Sequence, residues 1–223
     1  MQFSYHQNAG ASTVEIEGDL YNYLFKVRRH KSEETFDFRN LKDDFLYTYQ
    51  VLEIGKRSAT ISLVQSLSKP SKPSKEIHIG WCVVDPKTIE KTLPFLNELG
   101  VSKISFIYSD FSQKNFKMNY DRYEKIVINS CMQCGRSDIM KFEEYKNIKE
   151  FLKIYPDSYI LDFSQKTIED SLSINTIIIG SEGGFSENER KMFNNEKIVG
   201  LKNNFILRSE TATISVSSLL TSF

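Results

Sequence analysis

Two stretches of this chain combine residue types and spacing that can do chemistry. The first is IIIGSEGGFSENE, from Ile177 to Glu189, in which an all-apolar run meets Gly180, Gly183 and Gly184 and then a segment that Ser186 can cap as a helix. Glycine admits backbone conformations closed to other residues and lets a ligand approach the main chain, and open parallel sheets bind ligands at such strand ends. The same spacing also suits a plain tight turn. The spacing does not fit the dinucleotide fingerprint, and Glu182 in mid-loop would repel a pyrophosphate. The loop suits a ligand with hydroxyls, an amine or a positive centre and no phosphate. The second stretch is NFILRSETATISVSSLL, from Asn204 to Leu220, which sets Arg208 and Glu210 between a short strand and a helix that Ser209 can cap. The pair is either a surface ion pair worth under about 1 kcal/mol or a cation held for a developing negative charge.

Other reactive side chains carry less. Cys82, Cys131 and Cys134 are odd in number, with no apolar leader at MQFSYHQNAG, so reduced thiols in a cytosolic protein are expected. Cys131 and Cys134 form a CxxC, but the remaining candidate ligands, Cys82 and three histidines, are scattered, and no metal is expected. Helical spacing puts both thiols on a buried face. His78 alternates within a strand and is read as structural, and His6 as a surface side chain with RNA contact as the alternative.

The elements that must position these groups fall into two patterns. Residues 1–65 read as short strands at 13–17, 35–38, 45–54 and 58–64, suggesting a small barrel. Between the first two, Asp19 is expected to cap a short helix with Leu20, Tyr23, Leu24 and Val27 on one face and a basic bunch, Lys26, Arg28, Arg29 and Lys31, at its end. SLSKPSKPSK at 66–75 interrupts any period and is read as an exposed connection. Strands then alternate with helices, the order of a mostly parallel sheet covered on both faces. A strand at 77–84 precedes a helix opened by Asp85 and Pro86, carrying Ile89, Leu93, Leu96 and Leu99, and closed by Gly100, with Pro94 as a potential kink. A strand at 103–108 and a helix at 120–134 follow, the latter turning Tyr123, Ile126, Val127, Cys131 and Cys134 inward. A helix is expected near 145–155, then strands at 158–161, 175–179 and 197–201, and a last helix of small residues at 211–220.

The chain has 223 residues, 29 basic and 29 acidic, so any nucleic-acid contact must come from local patches such as the basic bunch or Lys69, Lys72 and Lys75. No segment reaches the roughly 18 apolar residues of a membrane helix.

GSEGGFSENE at Gly180 to Glu189, followed by FILRSETA at Phe205 to Ala212, resembles the paired signature of the small-subunit (16S) ribosomal RNA uridine-N3 methyltransferases of the SPOUT superfamily. NELGVSKI at Asn97 to Ile104, CGRSDI at Cys134 to Ile139 and GDLYNYLFKVRR at Gly18 to Arg29 extend the likeness over nearly the whole chain. The resemblance implies an RNA-binding PUA-like β-barrel at 1–68 and, at 74–223, an α/β methyltransferase domain with a trefoil knot, a mostly parallel sheet and helices on both faces. It also implies a cytoplasmic homodimer acting on 16S ribosomal RNA or the small ribosomal subunit. S-adenosylmethionine, a ligand of the kind the acidic glycine loop suits, would lie against Leu161, Asp162, Gly180, Ser181, Glu182, Gly183, Gly184, Leu201, Phe205, Ile206 and Leu207. Arg208 and Glu210 become the catalytic candidates, and Lys26, Arg28, Arg29 and Lys31 the RNA-binding ones. Three positions depart from the family: Ser181 stands where proline is usual, Gln2 near a common arginine, and Asp110-Phe111-Ser112 lacks an expected arginine. A superfamily enzyme acting on transfer RNA or a ribose 2'-hydroxyl, and an inactive RNA-binding module, are the alternatives.

Overall fold

The computed structural model describes residues 2–115, 117–170, 174–202 and 205–221; Asn204, where the second chemical stretch begins, lies outside them. Two compact units emerge: Met1–Lys72 with Ile128–Ile139, and Pro73–Val127 with Met140–Phe223. No helix among the described residues is long and apolar enough to cross a membrane.

The first unit holds strands β1 (Ser4–Tyr5), β2 (Thr13–Glu17), β3 (Thr35–Arg39), β4 (Phe45–Ile54) and β5 (Ser58–Ser68) in the order β1-β3-β4-β5-β2, antiparallel except for the β1/β3 pair. Alternation puts Val14, Ile16, Tyr47, Tyr49, Val51, Ala59 and Ile61 into one core, and register shifts in the β4/β5 ladder bend the sheet around it. β5 runs to Ser68, because Ser66 to Ser68 pair with β4, so the exposed connection starts later than its composition suggests. Helix α1 (Gly18–Tyr21) continues as a π-helical stretch, Asn22–Val27. Asp19 lies inside the first turn instead of capping it, and the i→i+5 winding turns Tyr21, Leu24 and Phe25 inward while Val27 is exposed. The CGRSDI segment belongs to this unit. The Ser137 N–H donates to the Ser71 carbonyl (2.8 Å), its hydroxyl donates to Asp44 (3.2 Å), and Arg136 grips Asp138 through two bonds of 2.9 and 3.0 Å.

The second unit is a six-stranded parallel sheet, β11-β9-β10-β6-β7-β8, formed by β6 (Ile77–Cys82), β7 (Val101–Ile107), β8 (Lys141–Tyr145), β9 (Tyr159–Leu161), β10 (Thr176–Ile179) and β11 (Ile198–Val199). Its helices are α2 (Pro86–Glu98), α3 (Tyr120–Cys134, whose end belongs to the first unit), α4 (Ile148–Ile154), α5 (Glu187–Arg190) and α6 (Ser209–Thr221). The Asp85 carboxylate accepts from the Lys87 and Thr88 amides, the helix continues through Pro94, and Gly100 takes φ +86° just past its end. Only part of 145–155 is helical. Its first residue closes strand β8, whose polar KFEEY sequence is that of a sheet edge, and Asn147 then caps α4. Cys131 is buried but Cys134, in the last turn of α3, is exposed. From β6 the chain builds outward through β7 and β8, then returns to lay β10 on the other side of β6. Ligands of open α/β sheets bind where the order reverses in this way.

Candidate active site

The apolar run of β10 delivers Gly180 to that reversal point. A β-carbon on Gly180 would lie 3.1 Å from the Gly184 α-carbon, tighter than an ordinary contact, so the loop folds back closely where Gly180 lacks a side chain. Gly184, at φ +69°, donates its N–H to the Ser181 carbonyl over 2.9 Å. Ser186 then caps α5 in a reciprocal box: its hydroxyl accepts from the Glu189 N–H, and the Glu189 carboxylate accepts from the Ser186 N–H over 2.9 Å. Glu189 is buried, and its other oxygen accepts the Asp110 N–H at 2.8 Å, while the Ser186 hydroxyl donates to the Asp110 carboxylate at 2.5 Å. The segment after β7 is thereby fixed to the glycine loop, with Phe111 packed over Gly183. Phe111 occupies part of the space that the missing Gly183 side chain leaves.

Helix α6 closes another side. Ser209 is its first residue and does not cap it; its hydroxyl donates to the Gly180 carbonyl (2.6 Å) and accepts from the Trp81 indole N–H (2.8 Å). Arg208 precedes it with its side chain 83% exposed and a guanidinium nitrogen 4.0 Å from the Glu210 carboxylate. Leu201 and Leu207 are half-buried, whereas Phe205 and Ile206 are 81% and 85% exposed. Leu161 ends β9, and the Asp162 N–H after it bonds the Val199 carbonyl at 3.0 Å while its carboxylate pairs with Arg190. Gly200 is as constrained as the loop glycines: a β-carbon there would lie 2.6 Å from the Ser164 carbonyl oxygen.

These residues fit a ligand of the predicted kind. The Ser181 hydroxyl is buried beside the cradle with no hydrogen-bond partner among the described residues, a cost that a ligand group would relieve. Glu182 is exposed in mid-loop. Burial pushes the Cys82 thiol up to about 12, against hydrogen bonds from Ser109 and the Ser181 backbone, so the thiol is unsuited to nucleophilic attack. The arrangement can bind, orient and exclude water, and Arg208 can stabilise an anion. Lys26, Arg28, Arg29 and Lys31 are all exposed on the first unit, with Arg29 at φ +58°. Sequence reasoning passed over Trp81, Arg190 and Gly200, named Asp110 and Phe111 only as a departure from the family, and gave Glu189 no role. Only Glu189 had a local signal, the Ser-x-x-Glu spacing from Ser186.

A family model described as an RNA methyltransferase domain matches residues 70–221, and one described as an RNA methyltransferase PUA domain matches residues 16–64. Ribosomal RNA small subunit methyltransferase E of Helicobacter pylori is 45% identical over 223 residues, covering 98% of this chain and 99% of that protein. The protein of the same name from Aquifex aeolicus is 25% identical over 231 residues, covering 99% of both. The crystal structure of the Neisseria gonorrhoeae protein of that name, bound to S-adenosyl methionine, matches with a TM-score of 0.82 at 18% identity, covering 98% of this chain and 96% of that one. At that identity the likeness speaks for the fold. With one domain model across most of the sequence and a relative of 45% identity aligned from end to end, the chain belongs to the ribosomal RNA small subunit methyltransferase E family.

Proposed function

We propose that this chain transfers the methyl group of S-adenosylmethionine to N3 of a uridine in 16S ribosomal RNA. The observation that carries this reading is the side-chain-free cradle of Gly180, Gly183 and Gly184 at the carboxyl end of β10, with the Ser181 hydroxyl, which has no partner among the described residues, beside it. The Neisseria relative's bound S-adenosyl methionine supports the same ligand.

When bound, this donor supplies an electrophilic methyl carbon on a positively charged sulfur. The glycines admit it to the backbone, Ser181 and Glu182 offer polar partners, and Leu161, Leu201, Phe205, Ile206 and Leu207 supply apolar surface. Asp162, held by Arg190, keeps the chain after β9 in place. Arg208 stabilises the negative charge that develops on the uridine as its N3 proton leaves, and Glu210 orients the guanidinium. Glu182 either binds a ribose hydroxyl or takes that proton. A uridine lifted out of its stack meets the requirement for in-line attack. Because Arg208 is exposed, water screens its charge until RNA or a second subunit covers it.

The same reading makes residues 1–68 the RNA-docking PUA-like domain, with Lys26, Arg28, Arg29 and Lys31 as its RNA contacts, and 74–223 the catalytic domain of a cytoplasmic homodimer. A trefoil knot in the second of these domains is part of the same reading.

Mass analysis of ribosomal and transfer RNA from a strain lacking the gene tests the proposal. The expected result is loss of one N3-methyluridine from 16S RNA, restored by the wild-type chain and not by Arg208→Ala. Loss of a transfer-RNA methyl or of a ribose methyl would overturn it.

A further inference from the structure

We propose that a cleft on the first unit, walled by Tyr23 and Phe36 and edged by Gln2, Arg28, His30 and Asp37, binds one unpaired nucleobase of single-stranded RNA. This deepens the reading of the chain as an RNA-modifying enzyme and rests on it. The cleft encloses about 250 Å³. That is below the roughly 300–1,000 Å³ of sites for drug-sized ligands, and it suits a single base better than a whole nucleotide cofactor.

Its chemistry is that of base recognition. Both aromatic walls are braced against planar cationic or imidazole groups. The Arg28 guanidinium lies over Tyr23, 5.4 Å from the ring centroid, and its Nε–H donates to the Tyr23 hydroxyl at 3.0 Å. The His30 ring meets Phe36 edge-on at 4.6 Å and pairs with Glu34 through its Nδ1. Rings and guanidinium planes held in this way are surfaces on which unstacked bases lie. The polar edge is fixed as well. Asp37 accepts the Thr48 hydroxyl at 2.7 Å, which sets the carboxylate plane. Gln2 is anchored by its backbone N–H to the Met132 carbonyl at 2.8 Å and offers a side-chain donor and acceptor together.

Arg28 and Asp37 offset each other at the cleft's edge, which leaves no surplus positive charge to hold a phosphate there, so the base and not the backbone enters it. Phosphates have their own partners outside, in exposed Lys26, Arg29 and Lys31. A base still paired in a duplex has its recognition edge occupied and cannot enter.

The test uses the full-length protein and short single-stranded RNA carrying 5-iodouridine at successive positions, with the same strand annealed to its complement as control. Photocrosslinks mapped by mass spectrometry should fall on the peptides containing Tyr23 or Phe36, and only with the single strand. Arg28→Gln combined with Gln2→Ala should lower single-strand affinity about tenfold, the order of one stacked base, while duplex affinity falls far less. Arg29→Gln removes one charge from outside the cleft and should cost clearly less than Arg28→Gln alone. Crosslinks mapping elsewhere, or equal effects of Arg28→Gln and Arg29→Gln, would overturn the proposal. The crosslink reports the cleft whether or not uridine N3 is the methylated atom. A missing crosslink beside an N3-methyluridine lost on gene deletion would therefore remove this inference and leave the proposed function standing.

Discussion

At Gly183 an added β-carbon would lie 3.0 Å from the Phe111 β-carbon and 3.2 Å from its ring, whereas Phe111 itself is 54% exposed and has room to swing away. Gly183→Ala should therefore cost little global stability but disturb the cradle, weakening donor affinity about tenfold in a calorimetric titration. In a Phe111→Gly background the loss should shrink, because the β-carbon and ring that the new methyl meets are both gone. A loss of equal size in both backgrounds would mean that the methyl blocks the ligand directly. Arg208 tests the chemistry itself. Its side chain is 83% exposed and reaches the Glu210 carboxylate only at 4.0 Å, so Arg208→Ala should leave stability and donor affinity nearly unchanged while single-turnover methyl transfer slows by about 100-fold. An unchanged rate would remove Arg208 from the anion-stabilising role.

Elements meet through a few buried polar contacts, and two of them can be tested singly. Ser209 joins α6 to β6 and to the loop after β10, accepting from Trp81 and donating to Gly180. Ser209→Ala should destabilise by about 1–3 kcal/mol, the cost of leaving such groups unpaired. Trp81 is the one tryptophan of the chain, so denaturation followed by its emission reads both the stability and the local change. If neither moved, the serine would not be the tie. His78 of β6 is buried against Ser105 (2.7 Å), with Lys103, Glu143, Phe151 and Tyr155 around it, and burial, helped by Lys103 and opposed by Glu143, lowers its pKa to about 4. A depressed histidine pKa stabilises the fold fully above the unfolded value near 6.5, and this contribution is lost as pH falls toward and through 4. Between pH 7 and pH 5 the loss should be about 2 kcal/mol by linkage, absent in His78→Gln if that variant retains the fold. Denaturant midpoints at the two pH values measure it.

For the whole molecule, zero net charge means that attraction to RNA has to arise from patches. Replacing Lys26, Arg29 and Lys31 together with glutamine should flatten the dependence of log affinity on log salt by about 2, at roughly 0.7 per phosphate contact with a single strand. An unchanged slope would place the phosphate contacts elsewhere. Substitution is a cleaner test than removing the first 75 residues. Ile128–Ile139 cluster with Met1–Lys72, and truncation would strip Ser137 of its bonds to Ser71 and Asp44.

What the sequence determined by itself was whatever its neighbours along the chain could specify. The apolar run into Gly180, the Ser186 cap, the Asp85-Pro86 start and Gly100 stop of α2, and the alternation of β2 and β4 are set within a few residues, because periodicity and capping are local. The paired motifs at Gly180 to Glu189 and Phe205 to Ala212 carried the family. Tertiary structure decided the rest. KFEEY becomes a strand because β7 lends it an edge, and Asn22–Val27 winds as a π-helix because Tyr21, Leu24 and Phe25 all reach the barrel core. The Ser209 hydroxyl caps nothing because Gly180 and Trp81, 29 and 128 positions away, compete for it. Glu189 steadies Asp110 across 79 positions. A hydrogen bond between residues so far apart leaves no period in the sequence, and its geometry exists only once the sheet has brought β6, β7 and β10 side by side.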